Sequence, residues 1–156
     1  MSVRSNAARD LGEEGLGEAL TRLQARLAGQ ESGNALVSLG EVLSWLFALR
    51  EFHGLQPPGA SVDEETLQGL IFARHQVAHR LKNLAEIVSW PSTPLGMGHG
   101  RSRLYSFLSE LRWKERADLH ATDPHPKLET LYDKHVAEKP LLEPIEVATQ
   151  FVLGLP

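Results

Sequence analysis

The sequence contains no cysteine. That excludes disulfides, thiolate metal sites and a cysteine nucleophile. It has no apolar run long enough to span a bilayer, and none follows the opening Met1 to Arg4, so neither a membrane helix nor a secretory leader is expected. A cytoplasmic location fits these absences. There is no surplus of positive charge either: 16 Lys and Arg stand against 20 Asp and Glu, a formal net charge of -4. Such a chain carries no general positive field, so contact with nucleic acid must be confined to a local site. The one local concentration of cations is Arg101, Arg103, Arg112, Lys114 and Arg116. It reads either as the rim of such a site or as a solvated charged face.

What is present suits one folded domain. The chain has 156 residues and a hydrophobic content of 42%, enough for a real core. Residues 1–15 are polar and glycine-containing and read as a flexible N-terminus. Residues 16–90 read as a helical core, and 91–156 as a C-terminal extension packed on the same domain. The expected class is mostly α, a helical bundle with a C-terminal extension in which a short β segment is one of two alternatives.

Leu16, Leu20, Leu23 and Leu27 recur at helical spacing and predict a first helix ending near Gly29. Leu36, Leu39, Leu43 and Leu46 predict a second over 34–53. Val42, Trp45, Phe47 and Leu49 widen its apolar face until it must be buried on more than one side. Gly54 stops it, and Gln56-Pro57-Pro58-Gly59 forms a connector. Ser61 with Glu64 makes a capping box, and Asp63, Glu64 and Glu65 suit the positive end of a helix dipole. From there the seam Leu67, Leu70, Arg74, Val77, Leu81, Leu84, Val88 predicts one long helix running to Trp90 and stopped by Pro91. Gly96, Gly98 and Gly100 mark a connector; a phosphate cradle is the lesser alternative, since no Gly-Lys-Ser/Thr follows. Over 104–119, Tyr105, Phe107, Leu111 and Trp113 favour an extended segment, with a helix still open. Two further helices are predicted over 127–139 and 144–153, the latter with Pro144 in its first turn.

Arg74 holds a seam position among apolar neighbours. Burying an unpaired guanidinium is costly, so something must meet it: a carboxylate, a partner subunit or a ligand. Glu41 and Glu51 are the structural candidates, and snorkelling to solvent is the other plain explanation. His75 and His79 lie four apart on one helical face and have the spacing of a zinc-protease motif. Gln76 stands where that motif has its glutamate base, and an amide cannot take the proton. A zinc ion would also need a third ligand, such as His53, His99 or His120.

Arg74-His75-Gln76-Val77-Ala78-His79 is also an Arg-x4-His motif. On these residues, with an apolar helix, a connector and then the motif helix, the segment from Leu16 to Trp90 resembles the HEPN superfamily of helical bundles. The resemblance implies metal-independent RNA cleavage with no cofactor, in which a 2′-hydroxyl attacks the adjacent phosphorus and leaves a cyclic phosphate and a 5′-hydroxyl. Arg74 and His79 are then the catalytic pair. His79 would move the proton, because imidazole titrates near neutral pH. Arg74 would hold the phosphate and its developing charge. His75, Arg80, Arg101 and Arg103 are the candidate substrate-binding residues. Five residues along an ideal helix turn through about 500°, leaving the two side chains about 140° apart. The family brings such groups together by dimerising, which implies a homodimer with a shared cleft. The setting implied is a toxin or phage-defence nuclease, with an antitoxin or regulator as a further partner. The rival readings are a non-catalytic HEPN-like binding or scaffold protein, and a metal-binding helical protein using His75 and His79.

Overall fold

A computed structural model describes residues 3–29, 32–80, 84–91, 107–119 and 126–156, with the side chains of 3–6, 32–33, 77–80, 87–91 and 107–110 outside the described set. The described residues form a mostly helical bundle with one small sheet. In chain order they are α1 (Val3–Ala28), α2 (Ser32–Phe52), α3 (Val62–Arg80), β1 (Ala85–Pro91), β2 (Phe107–Trp113), α4 (Arg116–Leu119), α5 (Pro126–His135) and α6 (Leu142–Leu153). No helix among them is long and apolar enough to cross a membrane.

α1 lies along α2. Leu16, Ala19 and Leu23 are buried with Leu39, Val42 and Leu46 in the common core. The helix begins at Val3, well ahead of the Leu16 start that the leucine repeat suggests. The reason is a close approach that apolar periodicity does not register. A Cβ on Gly15 would come within 2.5 Å of the Trp45 indole, and one on Gly12 within 2.8 Å of Leu49. These glycines let α1 press against α2 through backbone rather than side chain. Arg9 then ties the helix to the chain's end, bonding Glu13 at 2.6 Å and the Leu155 carbonyl at 2.7 Å.

α3 is the central element, packed against α2, α5 and α6. Its start is fixed as the sequence suggests. Ser61 Oγ accepts the Glu64 N–H at 3.2 Å, and the Glu64 carboxylate reaches back to the Ala60 N–H at 2.8 Å. Leu67, Leu70, Ile71 and Phe72 are then fully enclosed. Phe72 lies against Tyr132 of α5 with ring centroids 5.0 Å apart, and the edge of Tyr132 meets Trp113 at 6.5 Å.

The single long helix expected over 62–90 is not what forms. α3 stops at Arg80, and Ala85–Pro91 is a strand instead. β1 runs antiparallel to β2, pairing Ala85 with Trp113 and Pro91 with Phe107. The extended preference of Phe107, Leu111 and Trp113 is therefore realised, followed by the short α4. Trp113 anchors the hairpin: it is fully buried, and its indole N–H donates to the Leu141 carbonyl at 3.0 Å. Backbone bonds between Trp113 and the chain at Glu138 and Lys139 dock the strand against the α5–α6 connection. Leu84 and Ala85, placed by the seam on a helix, are buried at the root of this hairpin. The expected glycine connector over 92–100 lies outside the described residues.

Candidate functional site

The candidate site is built where α3 leaves the core. From Thr66 to Ala73 the helix is buried; Arg74, His75 and Gln76 are each half-buried. Among the described residues, Arg74 meets no carboxylate. Its guanidinium lies over the ring of Phe47 on α2, 4.3 Å from the centroid. The two acids that sequence offered are engaged elsewhere: Glu41 with Arg22 at 3.2 Å, and Glu51 with Arg50. Among the described residues no acid pairs with Arg74. The aromatic face meets the cation without neutralising it, so the charge remains available to an anion. His75 approaches the same ring edge-on at 6.2 Å. Phe47 thus gathers two of the motif's residues on one aromatic platform.

Beside this platform is a half-open cleft of about 600 Å³ between α2, α3 and the start of α5. Phe47, Ile71 and Leu128 give it apolar wall; Arg50, Gln56 and Lys127 give it polar groups. Arg50 is only 8% exposed. Its Nε donates to Gln68 Oε1 at 3.0 Å and its Nη1 to Glu51. Gln68 is itself fully buried, and its Nε2 has no hydrogen-bond partner among the described residues.

The other expected site residues fall as follows. His79 and Arg80 lie in the last turn of α3, with side chains outside the described residues. Arg101 and Arg103 lie wholly outside them. The basic segment does not stand as an open rim at its C-terminal end. Arg112 donates to the Glu138 carbonyl at 2.8 Å, and Arg116 bonds both Asp133 at 2.8 Å and Glu129 at 3.0 Å. Those two cations hold the hairpin and α4 to the rest of the bundle.

For the metal alternative, no three His, Asp or Glu among the described residues converge as a metal site. His53, one of the suggested third ligands, follows the last residue of α2 and packs edge-on against Phe52, and its Nε2 is buried without a partner among the described residues. Burial, with Arg9 nearby, holds its pKa below the ordinary imidazole value.

Sequence reasoning missed the cleft. Phe47 read only as one more apolar residue of α2, and Gln56 and Lys127 carried no pattern at all. A faint signal existed in Arg50, a charged residue directly after Leu49 on a helix face that is otherwise core. No family model, no curated protein and no solved structure matches the chain.

Proposed function

We propose that the protein is a HEPN-like, metal-independent endoribonuclease acting as a homodimer, with Arg74 and His79 as its catalytic pair. The observation that carries the reading is Arg74 itself: a seam arginine with no acid among the described residues paired to it, laid over Phe47 beside His75. The two acids that the sequence offers as its structural partners, Glu41 and Glu51, are paired with Arg22 and Arg50 instead. A guanidinium backed by an aromatic ring keeps its full charge and its planar fork for phosphate oxygens.

In this reading the 2′-oxygen forms a bond to phosphorus while the bond to the 5′-oxygen breaks. His79 takes the proton from the 2′-hydroxyl or delivers one to the leaving 5′-oxygen. Arg74 stabilises the added charge on the non-bridging oxygens. Because five residues along an ideal helix turn through about 500°, the twofold partner supplies the complementary pair across a shared cleft. RNA is the substrate, and a toxin or phage-defence role, held in check by an antitoxin, is the setting that such an activity suits.

The test is incubation of the protein with total RNA in the presence of EDTA, beside His79→Ala. Cleavage by the wild type alone, leaving cyclic-phosphate ends, is the expected result. A stable dimer that cuts no RNA would replace this reading with that of a binding or scaffold protein. Loss of cleavage on adding EDTA would overturn the metal-free mechanism.

A further inference from the structure

We propose that the cleft between α2, α3 and α5 is a mononucleotide subsite, taking the nucleotide next to the scissile phosphate. The choice of a nucleotide rests on the ribonuclease reading above; the existence of a ligand site rests on the cleft alone.

The cleft has the size of a small-molecule site: about 600 Å³, where such sites run from about 300 to 1,000 Å³. Its lining is mixed. The half-buried Phe47 offers a surface for a flat apolar body, the enclosed Ile71 and Leu128 adding little exposed area, and Arg50, Gln56 and Lys127 offer polar recognition. The charges do not cancel. Among the described residues, two cations line the cleft against one carboxylate, Glu51, and that carboxylate is already bonded to Arg50. Lys127 is the surplus cation, with no acid paired to it among the described residues. It stands in the first turn of α5, where the helix dipole adds to its attraction for an anion. Arg50 is pre-positioned: it is nine-tenths buried and held from behind by the Gln68 amide, so little ordering remains to be done on binding. Gln56 carries both a donor and an acceptor, which suits the edge of a base.

The placement links cleft and motif. His75 lines the cleft, and His79 follows one turn later on the same helix, about 6 Å along its axis. One nucleotide bridges that distance. A ligand with a phosphate at Lys127 and a base against Phe47 would therefore lie beside His75, one helical turn from position 79 of the proposed pair.

The test is calorimetric titration of the full chain with AMP and UMP, and with adenosine, uridine and inorganic phosphate as part-ligands. Wild type, Lys127→Glu and Lys139→Glu are compared, the last a like charge change outside the cleft. Saturable binding of a nucleoside monophosphate is expected, weakened about tenfold or more by Lys127→Glu and unchanged by Lys139→Glu, with both part-ligands weaker. No saturable binding, equal binding by Lys127→Glu, or inorganic phosphate binding as tightly as AMP would each overturn the subsite. The two proposals fail separately. Mononucleotide binding without RNA cleavage refutes the ribonuclease and keeps the cleft; cleavage without mononucleotide binding refutes the cleft and keeps the ribonuclease.

Discussion

From Thr66 to Ala73, α3 is a core helix; from Arg74 to Arg80 it carries charge and imidazole, and the two stretches differ in what surrounds them. The first is capped by Ser61 and Glu64 and enclosed between α2, α5 and α6, with Leu67, Leu70 and Phe72 fully buried. In the second, Arg74 and His75 turn to a single aromatic ring, and His75 also lines a half-open cleft. The helical repeat runs through both without a break, so periodicity alone does not separate them. The difference lies in what the seam position is given to touch. A leucine there meets other apolar side chains, whereas the arginine meets a ring that leaves its charge in place. Stability is thus concentrated in one half of the helix and candidate chemistry in the other.

Substitutions on either side of Ala73 sharpen or break that division. Phe72→Ala removes an enclosed ring that contacts Tyr132 and should lower the unfolding free energy by about 3–5 kcal/mol in urea titration. Gly69→Ala is a finer test on the same side. Alanine favours the helix by up to about 1 kcal/mol, but its Cβ would lie 2.9 Å from the Leu131 carbonyl oxygen, a backbone atom that cannot swing aside. Overpacking of about 1–3 kcal/mol should win, giving net destabilisation; a gain in stability would show that α3 and α5 are looser than their contact implies. Arg74→Ala, across the boundary, should cost no more than about 1 kcal/mol, the worth of a partly exposed cation–π contact. A loss as large as that of Phe72→Ala would place Arg74 with the core and erase the comparison.

The smallest effect expected is a pH dependence at the structural end. Glu65 accepts from Lys134 Nζ at 2.9 Å and pairs with His135 Nε2 at 2.8 Å, joining α3 to α5. The bond from Lys134, and then that from His135, hold its carboxyl below the ordinary value of 4.5. A lowered folded-state pKa means that the stabilisation is complete above 4.5 and is lost as pH falls through the depressed value. Urea midpoints of wild type and Glu65→Gln should therefore converge below that pH and differ above it. A constant difference at all pH values would contradict the assignment.

Much of this was legible in the residues. The leucine repeats marked α1 and α2, and the Ser61–Glu64 pair marked the start of α3 because capping is local chemistry. The end of α3 was not. Leu81, Leu84 and Val88 continue a helical seam, yet Leu84 to Trp90 equally fits a strand, and Pro91 ends either. The deciding factor was distant: an extended 107–113 needs a partner strand, since a lone strand leaves its backbone groups unpaired. The early start of α1 was hidden for another reason, because Gly12 and Gly15 pack by having no side chain. At the site, Arg74 stood out as a charge in an apolar seam. Its partner could not be read, because a Phe47 that binds a cation and one that fills a core look alike in sequence.

The division of α3 is tested most directly by the initial rate of RNA cleavage by Arg74→Ala, in EDTA, under conditions where the variant is shown to be folded. The account predicts a fall of about 10²–10³-fold, the usual cost of removing a group that stabilises charge in the transition state. A folded Arg74→Ala that cleaves RNA as fast as the wild type would contradict it.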